Sequence, residues 1–213
     1  YLDLFFNRRE GGTEFIGPEK WIIPSNWKNP ADNISGDNYH VAVSHRSAVL
    51  ARSKNLGVDP PPVDQSYRQS GSGFTGAAGY GHGVGVRMAE TEEEFWRLFN
   101  IQQRDPVLTQ YLKDILPETA YRLGYNRAFR TLPGVGNIFP NMGYLPNQHW
   151  VSMWLPRGLH KTEVWRFLVF DRAATSEEKT AMRIFSQQSF GASGMLEQDD
   201  MDNWRQCSNS GES

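Results

Sequence analysis

The sequence predicts an α+β domain with an antiparallel sheet, and three observations carry that prediction. Helical patterns fill much of the chain before Thr131, β patterns follow it, and a capped helical pattern comes after them. The two longest β patterns, His149 to Leu155 and Thr162 to Phe170, are joined by the turn signal Leu155-Pro156-Arg157-Gly158. A link this short makes an antiparallel hairpin, because a parallel crossover needs a dozen or more residues.

The elements follow in order. Lys20 to Ile23 reads as strand, ended by Pro24-Ser25-Asn26, and a helical pattern runs from Pro30 to about Arg52. Ser53 to Gly81 is rich in Pro, Ser and Gly and reads as a surface or pocket-covering loop. Thr91-x-x-Glu94 is a capping box, with Phe95, Leu98, Phe99 and Gln102 at helical spacing behind it. Asp105-Pro106 is an N-cap followed by a first-turn proline, starting a helix through Leu116, with another expected from Glu118 to Phe129. Val135 to Phe139 is the first of the later strands, and Thr175-x-x-Glu178 caps a helix to about Gln188. Gly191 and Gly194 then punctuate a turn before Glu197-Gln198-Asp199-Asp200. Trp150, Trp154 and Trp165 alternate with polar residues as sheet core does.

Composition narrows the function. At 213 residues with a formal net charge of −2, the chain is long enough for one sizeable core and lacks the basic stripe that holds a phosphate backbone or an anionic membrane. No apolar run approaches the roughly 18 residues of a membrane span, so the expectation is a soluble, cytoplasmic protein with no nucleic-acid or membrane partner. The single cysteine, Cys207, excludes an internal disulfide and a C-x-x-C redox pair. The chain starts at Tyr1 rather than Met, which suggests a segment of a longer protein.

Chemistry concentrates in two places. Asp37, His40 and His45 lie in G-D-N-Y-H-V-A-V-S-H, and the histidines, five residues apart, would point about 140° away from each other on a straight helix. A distortion or a helix junction has to bring them together. Asp37, three residues before His40, is on its helix face and could accept the second imidazole N–H. The acidic run Glu197 to Asp200 reads most simply as a solvated face or a helix N-terminus, but Phe190, Met195 and Leu196 place it at the edge of an apolar wall. Two imidazoles and one carboxylate on one side of a metal form the facial triad of non-heme iron(II) oxygenases. His82, His149 and His160 fit loop, surface or hairpin positions.

The string N-W-K-N-P-A-D-N-I-S-G-D-N-Y-H-V-A-V-S-H (Asn26 to His45) resembles the mononuclear-iron motif of the α (large) subunits of Rieske-type aromatic ring-hydroxylating dioxygenases. I-F-P-N (Ile138 to Asn141), W-L-P-R-G (Trp154 to Gly158), T-E-V-W (Thr162 to Trp165) and F-G-A-S-G-M-L-E-Q-D-D-M-D-N-W (Phe190 to Trp204) resemble the same family in the same order. The resemblance implies an antiparallel sheet wrapped around helices, the helix-grip type, as one partial catalytic domain over residues 1–213, incomplete at both ends. It makes His40, His45 and Asp200 the ligands of a mononuclear Fe(II). Asp37 matches the acid that links a neighbouring subunit's Rieske histidine to His40, and Asn33 a residue near the iron. Ile34, Val41, Val49, Phe190 and Leu196 match or flank substrate-pocket positions, with Leu196 where relatives often carry a bulkier aromatic.

The activity implied is addition of both atoms of O2 to an aromatic ring, giving a cis-dihydrodiol. Electrons would come from NAD(P)H through a reductase and a ferredoxin, and the assembly would be α3, or α3β3 with a small β subunit. A Rieske [2Fe-2S] centre needs two Cys and two His, so it is expected only in a full-length chain outside this segment. Two rivals stay open: a binding module that holds a hydrophobic ligand without redox chemistry, and a zinc hydrolase with Asp37 as its base.

Overall fold

The computed structural model describes residues 2–37, 40–55, 57, 59–60, 72–96 and 105–211. After a helical turn α1 (Asp3–Phe6) come β1 (Thr13–Ile23), α2 (Lys28–Ile34), α3 (Val41–Ser44) and α4 (Arg46–Asn55). A hairpin follows, β2 (Ser72–Gly79) and β3 (His82–Met88), then α5 (Pro106–Leu123) and α6 (Tyr125–Phe129). The chain continues through β4 (Thr131–Ile138), β5 (Met142–Leu145), β6 (Trp150–Gly158) and β7 (Lys161–Asp171) before α7 (Ser176–Phe190) and α8 (Met195–Ser210). The described strands make one seven-stranded sheet in the order β1-β7-β6-β5-β4-β3-β2. Every neighbouring pair is antiparallel, so β2 to β7 form a meander and β1 adds to the outer edge of β7. The sheet is not closed. Among the described residues no helix is long and apolar enough to cross a membrane.

The α+β reading with an antiparallel sheet holds, and so do the caps. Thr175 Oγ1 accepts from Glu178 N–H while the Glu178 carboxylate accepts from Thr175 N–H, and Asp105 Oδ1 accepts from Val107 N–H at 2.8 Å. Thr91 accepts from Glu94 N–H at 3.1 Å, and residues 92–96 are helical. Leu98, Phe99 and Gln102 lie outside the described residues.

Four expectations change. The single helix from Pro30 to Arg52 is three helices, broken after Ile34 where Gly36 takes φ 131°. The loop expected from Ser53 to Gly81 ends in a hairpin over its last part, residues 61–71 of it lying outside the described residues. Its glycines hide the two-residue alternation but are needed. A Cβ on Gly83 would stand 2.8 Å from Ser35 Cβ, so only glycine lets the segment after α2 rest on β3. The break expected at Pro117 does not occur. Leu108, Tyr111, Leu112, Ile115, Leu116 and Thr119 form one continuous buried stripe, and Pro117 lies on the exposed face, where the backbone carbonyl it leaves without a partner can meet water. Trp165 leaves the core group: Trp150 and Trp154 are buried, but Trp165 is on the opposite face of β7 from Val164, with Lys20 Nζ 3.7 Å from its ring centre.

The core has three parts. α5 and α7 pack on Leu132 and Phe170, while Phe5, Tyr144, Val151 and Val169 fill the opposite side of β5 to β7. The third part, Ile23, Ile34, Ala48, Trp150, Trp154, Val164, Phe190, Leu196 and Trp204, joins the face of β6 and β7 to α2, α4, α7 and α8. The chemistry-bearing residues gather on this part. Gly143 on β5 belongs to its packing, since a Cβ there would meet Trp154 Cζ3 at 2.6 Å and Ile34 Cγ2 at 2.7 Å. Gly143→Ala should therefore destabilise the fold by about 1–3 kcal/mol, lowering Tm in a thermal melt by about 2–4 °C for each kcal/mol.

Candidate metal centre

The five-residue spacing of His40 and His45 is resolved by a helix junction. His40 is the N-terminal cap of the one-turn helix α3 and His45 its C-terminal cap, with φ −95° and ψ 25°, before α4 starts at Arg46. The turn between them carries the rings to the same side, centroids 5.2 Å apart and planes at 73°. The preceding segment is seated on the glycine-rich hairpin, where Thr75 Oγ1 donates to the Gly36 carbonyl at 2.9 Å. Asp37 is therefore in the connection between α2 and α3 and not on a helix shared with His40.

Asp200 arrives from α8. Gly191 and Gly194 make the tight reversal that starts this helix; a Cβ on Gly194 would stand 2.6 Å from Phe190 N. The acidic run is then sorted by helical spacing. Glu197 and Asp200, three residues apart, are both buried, Gln198 is exposed, and Asp199 is half-buried between them. Asp200 Oδ1 is 3.4 Å from His40 Nε2 and 3.3 Å from His45 Nε2. Ligand atoms held about 2.1 Å from one ion at about 90–110° are separated by about 3.0–3.4 Å. Oδ1 of Asp200 is itself buried with no hydrogen-bond partner, and a buried acceptor in that state calls for a cation or a donor. Among the described residues, His40, His45 and Asp200 are the group of three whose donor atoms all lie within 4.8 Å of one another.

The outer nitrogens are held as metal-binding imidazoles require. His40 Nδ1 donates to the Asp37 carbonyl at 2.8 Å, with Asp37 Oδ2 3.4 Å away, which turns Nε2 toward Asp200. His45 Nδ1 is 3.2 Å from Asp199 Oδ2. Burial pulls the His40 imidazole down, but the nearby Asp200 carboxylate, with Asp37 adding to it, more than reverses this and leaves its pKa above the ordinary value. Two imidazoles ringed by three carboxylates form a site that attracts a cation.

The other expected residues divide by distance from this triad. Asn33 is beside it: its Oδ1 accepts from Trp204 Nε1 at 3.2 Å, and its NH2 stands 3.1 Å from His40 Nδ1. Ile34, Phe190 and Leu196 belong to the apolar cluster around Trp150 and Trp204, with Phe190 and Trp150 ring centres 5.6 Å apart. Val41 and Val49 are half-buried on α3 and α4. His82 is bound to backbone, Nδ1 accepting from Phe139 N–H at 2.9 Å, and His160 is exposed in the β6–β7 turn. His149, expected at the surface, is instead 4% exposed, at φ 57°. Burial, with help from Arg8, pushes its pKa down to about 3.

Two neighbours of the triad do not emerge from the sequence reading. Asp199 is set aside there in favour of Asp200, although adjacent helix positions that face different sides can serve one site in two ways. Arg166 carries a clearer signal, since it alternates with Thr162 and Val164 and so points the same way as two buried neighbours. It is 3% exposed, and its Nη1 meets Glu197 Oε2 at 2.7 Å inside the core. Burial, together with the charges of Asp200 and Glu19, raises the Glu197 carboxyl above its ordinary range against the opposing effect of Arg166.

Comparison with known proteins places these features in a lineage. Residues 10–213 match the ring hydroxylating alpha subunit (catalytic domain) family. The α subunit of benzene 1,2-dioxygenase from Pseudomonas putida is 33% identical over 213 residues, covering 96% of this chain and 44% of that protein. The α subunit of biphenyl dioxygenase from Metapseudomonas furukawaii is 34% identical over 212 residues, covering 96% of this chain and 43% of that one. The solved structure of naphthalene 1,2-dioxygenase with indole bound in the active site superposes with a TM-score of 0.78 at 28% identity, covering 100% of this chain and 46% of that one. The chain thus spans less than half the length of these relatives. With the family matched over nearly its whole length, this chain belongs to the ring-hydroxylating α subunits, as their catalytic domain.

Proposed function

We propose that this chain carries the mononuclear Fe(II) site of an aromatic ring-hydroxylating dioxygenase, with His40, His45 and Asp200 as ligands. The observation that supports it most is the convergence of His40 Nε2, His45 Nε2 and the unpartnered, buried Asp200 Oδ1. Relatives named for benzene, biphenyl and naphthalene dioxygenation support an aromatic hydrocarbon as substrate. Bound iron would supply the activation of O2, both atoms of which end on the ring as a cis-dihydrodiol.

The chain's own residues provide the frame for that chemistry. Engagement of Nδ1 of His40 and His45 by Asp37 and Asp199 turns their Nε2 atoms toward Asp200, where they would hold the ion. Phe190 and Leu196 make an apolar wall and exclude water beside Asp200, Leu196 standing one helical turn before it on α8. Ile34 continues the wall from α2, Val41 and Val49 would border it from α3 and α4 as the family resemblance implies, and Asn33 offers a carboxamide near His40.

Asp37 has the position of a coupling residue. It touches His40 through a carbonyl and a carboxylate, while its side chain is 41% exposed. One cysteine cannot hold a Rieske [2Fe-2S] cluster, so electrons would reach His40 from outside these 213 residues, from NAD(P)H through a reductase and a ferredoxin. An α3 or α3β3 assembly would set the cluster of one subunit against Asp37 of the next. Residues 1–213 form one partial catalytic domain on this reading.

Iron content is the first test. The intact protein should bind one Fe(II) per chain, and His40→Ala, His45→Ala and Asp200→Ala should each abolish it. Asp199→Ala should retain iron with affinity weakened by about 10–100-fold, because it only orients His45. Full iron in Asp200→Ala with loss in Asp199→Ala would exchange the roles of the two acids. A protein that binds an apolar ligand but no iron would be the non-redox binding module.

Coupling is tested separately. Asp37→Asn should keep its iron and an oxidised Rieske signal, yet lose turnover by about 10–100-fold. Complete loss of iron in that variant would mean that Asp37 serves the site's structure rather than electron delivery.

The apolar wall gives a third expectation. Leu196→Trp should leave iron content unchanged, narrow the space beside Asp200 and disfavour three-ring substrates, because a displacement of about 1 Å at the reacting edge alters rate and position of attack. Chromatography of the diols from a three-ring substrate reads this directly, and a product distribution equal to the parent's would remove Leu196 from the wall.

A further inference from the structure

We propose that Arg166 is a positioning residue which, from the sheet, sets where Asp200 and the apolar wall stand relative to each other. The inference rests on the reading that His40, His45 and Asp200 hold iron. Arg166 is on β7, with Nε donating to Ser152 Oγ of β6 at 2.7 Å, and these two residues are paired across the strands. Its Nη1 donates to the Phe190 carbonyl at the end of α7 and to Glu197 Oε2, at 2.7 Å, in the first turn of α8. One guanidinium thus grips both sides of the Gly191 to Gly194 reversal. Phe190 is a wall residue, and Glu197 is three residues before Asp200 on the same buried face of α8.

The grip is directional. The guanidinium plane is fixed by aromatic faces, its carbon 4.2 Å from the Trp150 ring centre, 5.0 Å from Trp21 and 5.8 Å from Phe190. Lysine has no planar fork and cannot reach Ser152, Phe190 and Glu197 together. The start of α8 has no side-chain cap at Gly194; the reversal before it is tied to β1 by Ala192 N–H donating to Glu19 Oε1 at 3.2 Å, and the contact of Glu197 with Arg166 ties the first turn of the helix itself to β7. Any rotation of α8 about its axis would carry Asp200 away from His40 and His45.

Two variants of the intact protein test this. In Arg166→Met/Glu197→Leu the buried charges are replaced as a pair, which lets the core repack; in Arg166→Lys the charges stay paired and the fork is lost. Each should give a cooperative melt, bind Fe(II) about 10–100-fold more weakly than the parent at a temperature well below its Tm, and shift the diol isomer ratio from a two-ring substrate. Glu197→Gln, which can still accept from Arg166, should bind iron more tightly than Glu197→Leu. The exposed pair Arg157–Glu163 on the same hairpin serves as control, and Arg157→Met/Glu163→Leu should leave Fe(II) affinity unchanged. A role in stability alone would lower Tm without moving the Fe(II) Kd or the isomer ratio. Either variant, folded and with the parent's Kd and isomer ratio, overturns the proposal, whereas a parent protein that binds no iron overturns the functional reading on which it rests.

Discussion

A guanidinium taken out of water needs a carboxylate partner and acceptors for its N–H groups, and at Arg166 these come from β6, the end of α7 and the start of α8. The ion pair with Glu197 is deep, both side chains no more than 3% exposed. Replacing such a pair with apolar groups is often neutral for stability, whereas removing one partner leaves the other charge stranded. Stability alone is therefore a poor reason for charges in this position. What the pair contributes is direction: a hydrophobic contact between helix and sheet tolerates sliding, whereas one fork meeting three acceptors from separate elements does not.

The same helix is fixed again at its other end. Ser25 Oγ and Ser208 Oγ are 3.1 Å apart, Asn29 Nδ2 donates to Ser208 Oγ at 2.8 Å, and Thr162 Oγ1 donates to the Ser25 carbonyl at 2.7 Å. β7 therefore meets α8 through Arg166 near one end and, through Thr162 and Ser25, near the other. Between the two anchors Trp204 reaches back to Asn33, whose carboxamide adjoins His40. The carboxylate and imidazole sides of the centre, more than 150 residues apart in sequence, are thus set against one strand.

Much of this architecture is legible in the amino-acid sequence, and the exceptions share a physical cause. Helix starts are readable because caps are local chemistry: Thr91, Asp105 and Thr175 each satisfy backbone N–H groups two or three residues away. β6 and β7 are readable because their buried faces alternate. β2 and β3 are not, since glycine leaves no alternation to read, and the need for glycine arises from Ser35 packing on Gly83, a contact 48 residues distant. Sequence rules split α5 at Pro117 because a proline's effect depends on whether its face is wet, which the buried stripe reveals only once the helix is packed. At the site, the need for a junction between His40 and His45 follows from helix geometry alone, whereas the choice of Asp200 comes from family resemblance. Nothing local separates Asp199 from Asp200; the direction in which α8 faces does, and that is set by long-range anchors at both ends of the helix, Arg166 at one and Ser208 at the other.

The two sides of the centre are built differently, and the difference bears on how each would serve the proposed chemistry. Asp200 rises from a helix buried along its inner face, in surroundings that exclude water from its free oxygen. His40 instead caps a single helical turn, reached through a connection that rests on the hairpin by Thr75 and Gly36. A low-dielectric carboxylate would strengthen every electrostatic interaction with a bound ion, which on the proposed reading suits the side next to the apolar wall. On the same reading the imidazole side would need the opposite property, a polar route to the exterior, and Asp37 is placed to supply one, contacting His40 while its carboxylate stays partly in solvent. Burying Asp37 as deeply as Asp200 would shut that route and add another uncompensated charge to the core. Its place in a connection, rather than on the helix face that the sequence suggests, is what lets one residue reach both the ligand and the surface.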